Sequence, residues 1–330
     1  MKISPHQSAF LNETWKGQKD NDLKRGKYLR ICPDVDSIHK KPRITSKICL
    51  LQNGNLLRPQ HISGQNIMVK NTCAFDAVLQ SLLIGFRDWI TYYDYVNNSS
   101  NHVLNFTKMV SQFGTSHKVY KERASILNYI FQSKNGTMDC ACNVSELTAK
   151  HLMQNIFSYK MLQQCTICEW INEENIAVIE INTKPMYQHG MRGLQEALDQ
   201  KIKNTNKNCR RCINKDIVTT FTTGAHLFID MECLQWTELA ARLGYSDWSG
   251  TFTLSEMPIE IQFYDGTYKL TAAIEYIGNR NSNEIGHYIT HCRRITGNWE
   301  TYDDLNKNKH PITTSARMLL QKKKLFYYFL

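Results

Sequence analysis

The sequence predicts an α+β fold, with helices gathered in its first half and strands in its second. Two observations carry this. From Phe75, apolar residues recur at three- and four-residue spacing (Val78, Leu79, Leu82, Leu83, Phe86, Trp89), the mark of a helix with one buried face. After Cys165 the texture changes to short runs rich in β-branched residues, such as Ile-Ala-Val-Ile-Glu-Ile at 176–181. Helices first and strands later describe an α+β domain with two lobes.

The elements follow in order. Residues 1–62 mix charge with Pro5, Pro33, Pro42 and Pro59, and hold one short apolar run at 48–51. They read as a basic N-terminal extension, partly irregular, ahead of a domain over 63–330. Thr72 is placed as the N-cap of the first helix. Helical patterns recur at 103–113, 124–132 and 145–155. Beyond 176–181 come a short amphipathic helix at 194–203 and strands at 218–221, 225–231, 259–263, 268–276, 288–293 and 299–302. A last edge strand is expected at 325–330.

At 330 residues with 42% hydrophobic content, the chain can build one large domain or two small ones. Its first 22 residues are charged throughout, unlike a secretory signal, and no run matches a membrane span. The expected compartment is cytoplasm and/or nucleus. There, 11 cysteines serve as metal ligands, a nucleophile or buried thiols rather than disulfides. The Asn-x-Ser/Thr sites at Asn12, Asn105, Asn135 and Asn143 would matter only in a secreted protein. The net charge of +10 is spread over 16–30, 40–41, 201–211 and 322–324. No nucleic-acid motif accompanies it, so it reads as solubility; a nucleic-acid binder would instead show steep salt dependence.

Cys73 opens the first helix, where the unpaired N–H groups and the helix dipole favour a thiolate. Read alone, it is equally a buried structural thiol. Far downstream, Gly286-His287 starts a strand, and Thr296-Gly297-Asn298 has hairpin-turn chemistry ahead of a second strand ending at Asp303. A hairpin places His287 and Asp303 within hydrogen-bonding reach. The acid then fixes the imidazole tautomer and leaves the other nitrogen to take the thiol proton. His291, on the same strand face, is the weaker candidate. A cysteine on a helix, then a histidine, then an acid is the chain order of a papain-like cysteine peptidase.

Cys165-x-x-Cys168 and Cys209-x-x-Cys212 form a four-thiol set. A two-residue gap lets both sulfurs of a turn face one ion, and two such knuckles complete a tetrahedral zinc site. Four thiolates leave no open position, so this Zn2+ would be structural. Cys140 and Cys142, one residue apart, are poorer ligands that could hold a second ion or remain ordinary thiols.

Taken together, the motifs resemble the ubiquitin-specific protease family. The cysteine box is Asn71-Thr72-Cys73-Ala74-Phe75-Asp76-Ala77-Val78-Leu79-Gln80-Ser81-Leu82. The histidine box is Gly286-His287-Tyr288-Ile289-Thr290-His291-Cys292-Arg293-Arg294, with Trp299-Glu300-Thr301-Tyr302-Asp303-Asp304 behind it. The resemblance covers about 64–330 and implies a right-hand architecture: a helical thumb (about 63–160), zinc-bearing β fingers (about 161–220) and a β palm (about 221–330). It implies a thiol-dependent deubiquitinase that cleaves after the C-terminal glycine of ubiquitin, with Cys73 as nucleophile, His287 as base and Asp303 as orienting acid. Asn71 would stabilise the oxyanion, with Asn66 nearby, and Asp304 would support from behind. The partners would be ubiquitin or a ubiquitin-like modifier and its conjugates, with no membrane. Two departures bear on this. The oxyanion asparagine that many members carry five residues before the nucleophile is Met68 here, which opens a catalytically weak, modifier-binding alternative. Asp76, often Asn in ubiquitin-directed members, is similar to the USP-like SUMO isopeptidase, so SUMO or another modifier is the rival substrate.

Overall fold

The chain enters the core earlier than its composition suggests. Ile48, Leu50 and Leu51 are each 3% exposed and pack with the first long helix. The computed structural model describes residues 48–153, 156–203, 208–213, 217–231, 251–278, 286–306, 310–321 and 325–330. All lie in one unit, Ile44–Leu330. The expected extension lies outside the described residues up to 47, as do the basic clusters at 16–30, 40–41 and 322–324. Its last part, 48–62, belongs to the folded unit. β1 (Gln60–Ile62) turns through Ser63 and Gly64, both at positive φ, into antiparallel β2 (Gln65–Lys70). A two-residue turn with two positive φ values matches the twist of the strands that it joins. The sequence offered only polar, alternating residues here, too short a pattern to stand out.

α1 (Cys73–Asp88) is buried all round; only Arg87 escapes. The periodicity predicted one buried face. The other face is covered as well, because the helix lies between further helices and a sheet. Its polar members Asp76, Gln80, Ser81 and Asp88 are therefore buried. Trp89 adopts an extended conformation and breaks the chain into α2 (Ile90–Asn98). α3 (His102–Phe113) is capped by Asn101, whose side chain accepts from the Val103 and Leu104 N–H groups. α4 (His117–Phe131) starts seven residues before the predicted 124, because its first turns alternate buried Val119 and Tyr120 with exposed charge. β3 (Thr137–Asp139) runs parallel to β2, and α5 (Val144–Leu147) ends in a wide turn.

The predicted strand at 176–181 divides at Ala177. Its first part ends β5 (Ile171–Ile176), which pairs with β4 (Tyr159–Cys165). Its second part is β6 (Val178–Glu180), in another sheet. α6 (Lys184–His189) and α7 (Gly193–Lys203) follow. β7 (Ile217–Thr223) pairs with β4, giving a three-stranded sheet in the order β5-β4-β7.

The main sheet is built from β8 (Leu227–Met231), β10 (Glu260–Phe263), β11 (Gly266–Ile277), β12 (His287–Arg293), β13 (Trp299–Tyr302), β14 (Ile312–Thr314), β16 (Leu325–Phe329) and β6. β9 (Thr251–Thr253) pairs with β15 (Leu319–Gln321) beside it. Strand alternation divides the core in two. Phe228, Ala272, Ile274, Cys292 and Tyr328 face the helices, whereas Ile229, Ala273, Tyr327 and Phe329 belong to a second core on the other side. Among the described residues no helix is long and apolar enough to cross a membrane.

Candidate active site

Cys73 sits at the first turn of α1 and is 6% exposed. Thr72 holds the N-cap position but caps nothing. Its hydroxyl accepts from the Gly54 N–H (2.9 Å) and donates to Asp76 Oδ2 (2.6 Å). Burial pushes the Cys73 thiol up to about 12; the backbone N–H of Tyr288 pulls it back, and the charges of Asp304 and Asp76 add to the rise. The helix start was expected to favour thiolate. In the free protein, desolvation outweighs it.

His287 begins β12, which packs on α1: Thr290 Oγ1 donates to the Ala77 carbonyl at 3.2 Å. A Cβ at Gly286 would sit 2.0 Å from the Tyr276 hydroxyl, so a side chain before the histidine would require Tyr276 to move. β12 returns through a turn at Gly297 (φ 88°) into antiparallel β13, with Thr290 opposite Tyr302. Asp303 follows β13 directly. Its Oδ1 lies 2.8 Å from His287 Nε2 and also accepts from the Leu305 N–H at 3.0 Å. The His287 contact holds the Asp303 carboxyl below its usual range, against a smaller opposing effect of burial. A carboxylate only accepts, so the imidazole proton lies on Nε2 and Nδ1 is the basic nitrogen. No hydrogen bond joins Cys73 Sγ to the ring among the described residues. The neighbouring N–H of Tyr288 faces the sulfur instead.

The supporting residues are more closely tied. Asp304 is 4% exposed, and its Oδ1 lies 3.6 Å from His287 Nε2. Asn53 grips it twice, through Nδ2 to Oδ2 (2.8 Å) and N–H to carbonyl (2.9 Å). Beneath Cys73, Asp76 accepts from Arg123 Nη1 on both oxygens (2.9 and 2.7 Å). Asn71, at φ 56°, is held by Asn55 and Asp139: its Nδ2 donates to Asp139 Oδ1 (2.8 Å) and its Oδ1 accepts from Asn55 Nδ2 (3.1 Å). His291 is fully buried between Glu275 (3.1 Å) and Thr301 (2.9 Å), apart from this cluster. Sequence reasoning missed Asn53 and Arg123. The signal for Arg123 was present: Val119, Tyr120, Ala124 and Leu127 place it on the apolar face of α4, where an arginine needs an acid.

A second constellation lies at the end of the β5-β4-β7 sheet. Cys165 ends β4 and pairs with Ile217 of β7, which brings both knuckles to one edge. The sulfurs of Cys165 and Cys212 are 3.6 Å apart, and those of Cys168 and Cys209 3.5 Å. All four lie within 4.8 Å of one another. Tetrahedral zinc at about 2.3 Å from each sulfur requires S···S edges of about 3.8 Å, so the donor set fits that ion. The N–H groups of Cys168 and Ile167 lower the Cys165 thiol. Cys140 and Cys142 join no metal-binding group among the described residues.

No protein-family model matches the chain. It is 28% identical over 324 residues to the 120.7 kDa protein in the NOF-FB transposable element of Drosophila melanogaster, covering 92% of this chain and 30% of that protein. The chain thus spans under a third of that relative's length. Among solved structures it is similar to the yeast SAGA DUB module (TM-score 0.38, 15% identity, 94% of this chain and 75% of the other). The SAGA DUB module with Ubp8 bound to monoubiquitin gives a TM-score of 0.34 at 13% identity, over 94% and 76% of the two chains. The Pan2 catalytic unit of Neurospora crassa gives 0.48 at 11% identity, over 86% and 57%.

Proposed function

We propose that this chain is a thiol isopeptidase that hydrolyses the bond after the C-terminal glycine of ubiquitin or a ubiquitin-like modifier. One observation carries the reading: Asp303 holds His287 by Nε2, leaving Nδ1 basic, on a strand packed against the helix that Cys73 opens. In this reading Nδ1 takes the Cys73 proton and the thiolate attacks the glycine carbonyl. The tetrahedral intermediate draws on the Cys73 N–H and the Asn71 side chain. His287 returns its proton to the departing lysine amine, leaving a thioester; it then deprotonates a water that releases the modifier and restores the thiol. A thiol at about 12 is mostly protonated at neutral pH, so the ion pair forms as substrate binding draws Cys73 and the imidazole together. The helical layer would serve as thumb, the β5-β4-β7 sheet as fingers and the main sheet as palm. Cys165, Cys168, Cys209 and Cys212 would hold a structural Zn2+ that fixes the finger edge and takes no part in the reaction. Ubiquitin is the first substrate to test and SUMO the second, with cytoplasm and nucleus as the compartments where either is met.

Met68 and the high thiol of Cys73 favour a second reading, a domain that holds a modifier without cutting it. Ubiquitin and SUMO bearing a C-terminal electrophile decide between the two, by intact mass beside Cys73→Ala. A Cys73-dependent adduct establishes the nucleophile and names the modifier. No adduct from folded, zinc-loaded protein rejects the peptidase reading, and equilibrium binding of the same modifiers then tests the second.

A further inference from the structure

Beneath the nucleophile lie two buried carboxyl groups in contact. Asp76, on α1, and Asp304, behind Asp303, are 5% and 4% exposed. Both border one cavity of about 10 Å3, roughly room for one water, with Cys73, Gln80, Thr290 and Tyr302. Among the described residues Arg123 brings the fixed positive charge to the pair, and both of its contacts to the pair go to Asp76, with a third to the Gln52 carbonyl. Asn53 donates one hydrogen bond to Asp304, and Thr72 one to Asp76. Asp304 Oδ1 finds no donor among the described residues. Two ionised carboxylates side by side in such a site repel at full strength, and one shared proton turns that contact into a hydrogen bond.

We propose that Asp304 is a positioning residue that works as a neutral carboxylic acid, sharing one proton with Asp76, so that Asp303 alone presents negative charge to His287. The inference rests on the peptidase reading for its catalytic consequence, but the proton itself is independent of it. Burial first and the Asp76 charge second raise the Asp304 carboxyl to about 9, while Asn53 and Arg123 pull it down. The groups facing it are Asp76 and Cys73 from α1, Arg123 from α4, His287 from β12, Tyr302 from β13 and the adjoining Asp303. The benefit falls on Cys73. A charge on Asp304 opposes thiolate formation there, and a proton on Asp304 removes that opposition. Asp76 adds to the effect of burial: with an amide in its place the contact needs no shared proton, and burial alone holds the Asp304 carboxyl up.

The test is infrared spectroscopy of the whole chain across neutral and alkaline pH. Wild type should show the carbonyl stretch of a protonated carboxyl at neutral pH, lost as pH rises. Asp304→Asn should lack that band, Asp76→Asn should lose it at lower pH than wild type, and Asp303→Asn should keep it. Thermal melts give a second readout. An acid whose folded pKa is raised stabilises fully below its unfolded value, about 3.9, and that stability is lost as pH rises through about 9. The Tm of wild type should therefore fall, relative to Asp304→Asn, across that window. On turnover, Asp304→Asn should move the alkaline arm of kcat/KM to higher pH. A wild type without the neutral-pH band, or a band that survives Asp304→Asn, overturns the proposal. So does an alkaline arm that stays in place. Absence of turnover at every pH counts against the peptidase reading alone, because the infrared and Tm outcomes still decide this one.

Discussion

The four-thiol cluster and the Cys73–His287–Asp303 site are built in opposite ways. Each pair of thiols comes from four consecutive residues, and one strand ladder, β4 with β7, brings the two pairs together. Their sulfurs stand 3.5 and 3.6 Å apart within the pairs that face each other. The other site draws on positions 53, 73, 76, 123, 287, 303 and 304, held by polar contacts where the helices meet the main sheet. A turn can encode the first by spacing alone. The second exists only while every buried polar group keeps its partner, so single substitutions should damage it in more ways.

The sharpest break in that comparison is Cys73→Ala. On the proposed reading, loss of the nucleophile removes turnover by about three or more powers of ten. The melting temperature should stay within a few degrees, because Ala replaces a buried thiol that makes no hydrogen bond to the imidazole. Hydrolysis of a modifier fused to a fluorophore, run beside a thermal melt, measures both. Cys209→Ser should do the reverse. Bound zinc should fall from about one per chain to near zero, by elemental analysis, and amide exchange should quicken across β4, β5 and β7. The main sheet is covered on both faces by buried residues and should keep its protection. If the zinc content does not fall, the cluster is four free thiols.

Arg123→Met tests the buried network directly. Removing the guanidinium leaves the Asp76 carboxylate 5% exposed and without its cationic partner. Breaking one side of such a pair costs about 3–5 kcal/mol, measurable as a shift in denaturant midpoint. The double variant Arg123→Met with Asp76→Leu should recover much of that loss, since a packed apolar pair avoids burying a lone charge. Failure to recover would mean that Arg123 acts through its contacts to the Gln52 carbonyl and the Tyr120 ring instead.

What the sequence made legible follows the same division. Apolar periodicity located α1, and β-branched runs located β8, β11, β12 and β13, because those elements pack on extended faces. The paired knuckles and the order Cys73, His287, Asp303 were visible as spacing. Residues 48–62 were not, since Asn53-Gly54-Asn55 looks like any turn until Asn53 is seen gripping Asp304, 251 positions away. The break at Ala177 was hidden too: a continuous β-branched run carries no sign that its halves join different sheets. Asp76 could be noted as unusual, but only the fold brings Arg123 and Asp304 to it.

The smallest effect concerns Asp303 and stability. The Nε2–H of His287 holds its carboxyl below the usual range. A depressed acid stabilises the fold above its unfolded pKa, about 3.9, and loses that contribution as pH falls through the lower, folded value. Asp303→Asn should therefore flatten the acid side of the Tm curve while leaving it little changed near neutrality. The side chain is 33% exposed, so solvent screens the pair and the flattening should be slight. Asp304→Asn should act in the opposite pH direction, between about pH 4 and 9, because its carboxyl is raised. Adjacent aspartates with opposite pH signatures would separate the residue that faces the imidazole from the one that shares a proton behind it. Two curves that move together would show that the pair titrates as one group.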